Sequence, residues 1–77
     1  MSTSLDDSLV TLLSRWLARH ATDAELRRVV EGADAGELTE EQAEALEELR
    51  AGLHAGLDPG DLEMLVRETL EAIALGG

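Results

Sequence analysis

The chain has no cysteine, no lysine, no phenylalanine and no tyrosine, and among its 77 residues there is one tryptophan and one proline. Without cysteine there is no disulfide framework and no thiolate metal site, and the absence fits a reducing compartment. All six bases are arginine, the usage expected of a GC-rich genome. A single aromatic residue offers no platform on which bases could stack. No apolar run approaches the roughly 20 residues that cross a bilayer. The opening stretch MSTSLDDSL is acidic and has no apolar segment of its own, so it does not read as a secretory signal, and the sequence predicts a soluble, cytoplasmic protein. Valine and isoleucine are few and apolar residues do not alternate with polar ones, so no segment reads as a strand.

Seventy-seven residues allow one domain, here taken as residues 1–77. A chain this short hides only about 60% of the surface that its unfolded form exposes, so its stability margin is thin. The net charge is −11. Residues 1–30 carry four acids and four bases and are neutral together; residues 31–77 carry thirteen acids against Arg50 and Arg67 and hold the whole excess. Such a field repels phosphates and argues against direct nucleic-acid binding. It admits attraction to a basic protein surface, felt mainly in the rate of association.

Apolar residues recur at spacings of three and four in four places, which predicts an all-α chain folded as a small bundle of four short amphipathic helices. The first opens near Ser4 and runs through Leu5, Leu9, Leu12, Leu13, Trp16 and Leu17 towards His20, with Thr3 or Ser4 as cap and Asp6 and Asp7 at the positive end of the helix dipole. The second follows a capping box formed by Thr22 and Glu25, carries Leu26, Val29 and Val30, and is expected to end at Gly32 in a left-handed turn. The third follows the loop GADAGEL. Thr39 and Gln42 cap it, Leu46, Leu49 and Leu53 form its apolar line, and Gly56 closes it. The fourth starts at Asp58-Pro59, with Leu62, Leu65, Val66, Leu70 and Ile73 as its buried face.

Constellations that carry chemistry are scarce. Ser8 and Ser14 have no histidine and acid at plausible spacing, and so small a core cannot enclose a substrate; the sequence predicts no enzyme and no catalytic residue. Glu44 and Glu48 lie one helical turn apart, but His20 and His54 stand alone and no Glu-x-x-His pair occurs, so no metal or other cofactor is expected. A calcium loop over residues 31–42 lacks too many of its oxygen ligands. The stretch GAD at 32–34, followed by an acidic helix containing EALEEL, resembles the acyl carrier protein family over about a dozen residues. The resemblance implies a helical fold and a phosphopantetheine arm on a serine. The chain departs from the family there: Ala35 stands at that place and has no hydroxyl to esterify. Asp7-Ser8-Leu9 has the right letters but lies near the N-terminus. The closing LEAIALGG is similar to double-glycine leader peptides, which need a core peptide behind them; a frayed helix end is the simpler expectation.

Two surfaces remain as candidates for partner binding. The first helix is apolar around much of its circumference, and Leu13, Trp16 and Leu17 are not expected all to bury completely beneath three slim, Ala-rich neighbours. That leaves a contact face for another protein or for a second copy of the chain, since tryptophan is a frequent interface anchor. The third helix carries Glu40, Glu44, Glu47 and Glu48 on one side. Uncompensated like charges at i,i+4 cost about 0.2–0.5 kcal/mol each, and their repetition suits a face that meets arginines and lysines of a partner better than a merely solvated one. The expected function is a non-enzymatic adaptor or regulator that binds a basic protein, with possible homodimers. The alternatives are a nucleic-acid mimic that inhibits a DNA- or RNA-binding protein, and a degenerate carrier-like partner of an acyl-transfer enzyme.

Overall fold

The computed structural model describes residues 4–75. Four α-helices follow one another: α1 Leu5–Leu17, α2 Asp23–Gly32, α3 Glu40–Ala55 and α4 Pro59–Ala74, with a single 3-10 turn at Ala35–Glu37 between α2 and α3. No strand occurs among the described residues. The longest pairings are α3 on α4 and α1 on α4, while α2 bridges α1 and α3. The radius of gyration is 11.3 Å, against about 11.5 Å expected for a compact folded chain of this length. The helices are therefore packed together, not splayed. Leu9, Leu13, Leu26, Val30, Leu46, Leu49, Val66 and Ile73 are fully buried and make one core to which every helix contributes.

The helix starts follow local chemistry. Thr39 Oγ1 accepts from the Gln42 N–H at 3.2 Å and Gln42 Oε1 accepts from the Thr39 N–H at 3.0 Å, which is the reciprocal capping box the sequence predicts. Only half of the other box forms. Thr22 Oγ1 accepts from the Glu25 N–H at 3.1 Å, but the Glu25 carboxylate turns to Arg15 of α1, 3.8 Å away. Ser4 occupies the cap position of α1 without capping it and donates its hydroxyl proton to Asp7 Oδ2 at 3.0 Å; Thr3 lies outside the described residues. Pro59 takes the first turn of α4 as expected, and Asp58 stands at the cap position without a side-chain hydrogen bond.

The helix ends depart further from local expectation. α1 stops at Leu17, short of His20. Arg19 adopts φ 65°, and the His20 N–H donates to the Arg15 carbonyl at 2.7 Å while the Arg19 N–H donates to the Trp16 carbonyl at 3.0 Å. That is a Schellman turn with arginine in the place where glycine normally sits. α3 ends on the residue expected, Gly56, which is also left-handed, at φ 70°. α2 does not end in a left-handed turn: Gly32 is its last helical residue and Ala33 leaves in an extended conformation. The reason lies in α3. Arg50 Nε donates to the Val30 carbonyl at 3.0 Å and another guanidinium nitrogen donates to the Ala33 carbonyl, so the last carbonyls of α2 are satisfied from a neighbouring helix. α4 has the same arrangement, because buried Gln42 extends Nε2 to the Ile73 carbonyl at 2.9 Å.

Packing shifts two faces from their expected centres. On α4 the fully buried line is Val66, Thr69 and Ile73, with Leu62, Leu65 and Leu70 half-buried. Thr69 is tolerated there because its hydroxyl donates to the Leu65 carbonyl one turn back, at 2.8 Å. On α3, Gly52 is buried where α4 comes closest: a Cβ there would collide with Leu65 and stand 2.9 Å from Leu57 Cδ1. The helix-propensity penalty of an interior glycine, about 1 kcal/mol, is offset by that close approach.

Two stability measurements check these ends. Arg19→Gly keeps the turn and removes the left-handed strain of a residue with a Cβ, so it should raise unfolding stability by about 0.5–1 kcal/mol in urea denaturation. Arg50→Met keeps the aliphatic stem but strands two carbonyls, and should lower stability by about 1–3 kcal/mol. An unchanged midpoint would show that water caps α2 equally well.

Candidate functional site

Two features stand out on the surface, and they lie at opposite ends of α3. The first is an open cleft of about 460 Å³, within the range typical of ligand sites. It forms where α1 stops, α2 begins and the α3–α4 loop turns. Trp16 and Leu17 supply one apolar wall, and Leu57, Pro59 and Leu62 supply the other. Arg19, Asp23 and Glu63 stand at the rim. Trp16 is half-buried, and its indole Nε1–H donates to Asp23 Oδ1 at 2.8 Å. That bond ties the end of α1 to the start of α2 and holds the ring at the cleft edge. Glu63 receives Arg67 Nη2 at 3.2 Å, the i,i+4 pair expected from the sequence.

The expected apolar face of α1 is narrower than its composition suggests. Leu13 is 0% exposed and belongs to the core, so it offers nothing to a partner. α1 packs on α4 and α2, and Leu13 is enclosed in the shared core in spite of the small side chains of its neighbours. Trp16 and Leu17 do stay partly exposed. Apart from half-buried Leu5 and Val10, the apolar surface that α1 presents is the cleft wall. Elsewhere, Met64 at 63% and Leu75 at 84% are the strongly exposed large apolar residues, and scattered single residues of this kind are ordinary on a protein surface.

The second feature is the acidic side of α3. Glu40, Glu44, Glu47 and Glu48 are all exposed. Glu47 is the odd member, because its Oε1 accepts from Arg50 Nη1 at 2.7 Å. It orients the guanidinium that caps α2, so its role is within the fold. Among the described residues no basic group lies within 4.0 Å of the carboxylates of Glu40, Glu44 or Glu48. Just over two turns of uncompensated charge thus run along α3 from Glu40 to Glu48. His54, near its other end, pairs with Glu31 of α2 at 3.3 Å.

No group of three or more His, Asp or Glu side chains with metal-binding geometry occurs among the described residues, and no buried side-chain polar atom lacks a hydrogen-bond partner. No described helix is long and apolar enough to cross a membrane. Ala35 begins the 3-10 turn after Asp34, whose Oδ1 accepts from the Gly36 N–H at 2.9 Å, and Ser8 is exposed on α1. Comparison with family models, with curated proteins and with solved structures returned no match.

The cleft itself escapes a reading of the sequence. Its walls come from two stretches of the chain, 16–23 and 57–63, and only Trp16 and Leu17 among them carry an interaction signal. Arg19 could have been found only as an arginine standing where the end of α1 needs a glycine. One measurement checks the geometry. Trp16 emission should be quenched by acrylamide in the native state, and Asp23→Ala should increase that quenching and lower stability by about 0.5–1.5 kcal/mol. A tryptophan shielded from quencher would contradict the open cleft.

Proposed function

We propose that the chain is a non-enzymatic interaction module that recruits a basic protein through the acidic side of α3. The observation that carries this reading is the row Glu40, Glu44 and Glu48: exposed, one turn apart, and with no cation within 4.0 Å of any of them among the described residues. Two i,i+4 repulsions are accepted there, although Arg50 lies on the same helix and is spent on capping α2. A partner with arginines or lysines at matching spacing would relieve both. Attraction of this kind acts over about 8 Å at physiological salt and accelerates encounter more than it tightens the complex.

The test is a triple substitution, Glu40→Gln, Glu44→Gln and Glu48→Gln, with Glu47 kept because it orients Arg50. Removing the two repulsions should add about 0.4–1 kcal/mol, offset in part by the loss of the Glu40 charge from the first turn of α3. Capture of a basic protein from an extract of the source cells should fall sharply, and capture by the unaltered chain should weaken as salt rises. A more stable variant that captures the same partner equally well would exclude the acidic side as the binding surface. Competition of that partner's complex by duplex DNA would identify the surface as a nucleic-acid mimic, the variant of this reading that the regular spacing of the carboxylates favours.

A further inference from the structure

The cleft at the other end of α3 joins an apolar floor to uncompensated acid. Trp16, Leu17, Leu57 and Leu62 line it, and all four keep part of their surface open to water. Apolar surface held in a concave notch gains from an occupant that displaces its water. The charges around it are unequal. Glu63 is paired with Arg67 at 3.2 Å. Asp23 is not paired with a cation, because its partner is the neutral Trp16 indole, whose N–H donates to Oδ1 at 2.8 Å. Asp58 lies between the lining residues Leu57 and Pro59, and its side chain makes no capping hydrogen bond. Among the described residues no base lies within 4.0 Å of the Asp23 or Asp58 carboxylate. Against these two acids stands one lining cation without a carboxylate partner, Arg19. The balance at the cleft is thus negative, on a protein whose net charge is −11.

These charges select the occupant. An anionic amphiphile would meet acid at the rim, and a second copy of the chain brings its own charge of −11 and is repelled. A free small molecule is poorly served, because ligand sites enclose about 70–90% of their ligand and this cleft is open. A segment carried on a larger body needs no such enclosure. We infer that the cleft docks a short basic segment of another protein. One or two large apolar side chains of that segment pack on Trp16, Leu17, Leu57 and Leu62, and flanking lysines or arginines meet Asp23 and Asp58. An apolar centre with an aromatic anchor and a charged, wet rim is the ordinary anatomy of a protein interface. Asp23 serves both parts, since it commits only Oδ1 to holding the Trp16 ring. The site goes beyond the acidic side of α3: it shares the sign of the partner's charge and none of the residues.

Trp16 is the only tryptophan and lines the cleft, so its fluorescence reports occupancy directly. The probe is a peptide with both ends capped, KRLFRK, which contains neither tryptophan nor tyrosine. It should change the emission saturably, with a Kd of about 1 mM or tighter. The neutral peptide QQLFQQ should bind about threefold more weakly and the acidic EELFEE at least about tenfold more weakly. KRGGRK, which keeps the bases and lacks the anchor, should leave the emission unmoved. Asp23→Asn combined with Asp58→Asn keeps an acceptor for the indole and a residue fit to cap α4, and the unfolding midpoint checks that the fold survives. That double variant should weaken KRLFRK about threefold, as loss of exposed ion pairs does. No saturable response to KRLFRK, equal binding of the basic and neutral peptides, tighter binding of EELFEE, or unchanged affinity in the folded double variant would each overturn the inference. The triple substitution of Glu40, Glu44 and Glu48 separates the two surfaces. It should leave the Trp16 response intact; a response lost there and kept in the aspartate double variant would overturn docking at the cleft and leave the reading of α3 standing.

Discussion

Helix ends leave backbone carbonyls without partners, and this protein satisfies the ends of α2 and α4 from a single helix. Gln42 reaches the Ile73 carbonyl at the end of α4, and Arg50 reaches the Val30 and Ala33 carbonyls at the end of α2. Neither α2 nor α4 has a base in its last turn, so neither carries its own remedy. α3 thus does more than bury Leu46, Leu49 and Leu53. It fixes where its two neighbours stop, and with that the paths of the loops that follow. In a domain with so small a core, directional contacts of this kind set the register that hydrophobic burial alone leaves loose.

This arrangement divides the polar residues of α3 into two populations. Gln42, Arg50 and Glu47 serve the fold: the first is buried, the second is half-buried, and the third holds the second in place. Glu40, Glu44 and Glu48 serve no intramolecular contact among the described residues. The division matters because the chain is poor in bases. With Arg50 used at α2, Arg67 at Glu63 and Arg15 at Glu25, few cations remain to neutralise thirteen acids after residue 30. The acidic side is therefore unbalanced by construction, which is the property that the proposed recruitment of a basic protein uses.

The far end of the bundle follows a different logic. There the chain closes α1 with an arginine in a left-handed turn, ties the Trp16 indole to Asp23 and leaves an apolar notch between α1 and α4. Gly52 contributes at a distance, since the absence of a side chain lets Leu57 and Leu65 settle against α3 and so sets the far wall of the notch. A stability optimum would place glycine at position 19. The arginine found there holds a left-handed conformation at the edge of the notch, a local cost that the turn itself does not require.

Much of the fold is legible in the sequence because helix periodicity and helix starts are local. The spacing of leucines fixes four amphipathic segments, the Thr39–Gln42 box and Pro59 mark two starts within a residue, and Gly56 marks an end. The excess of acid after residue 30 and the row of glutamates on α3 need only counting and a helical period. What tertiary structure alone decided are the places where one helix answers another. Leu13 became core instead of surface, Gly32 gave up its expected turn, Gln42 and Glu47 acquired structural roles, and a cleft arose from segments forty residues apart. None of these has a local signature. An orphan carbonyl or an exposed wall is defined by which donor or side chain comes near it in space, and chain order does not state that distance.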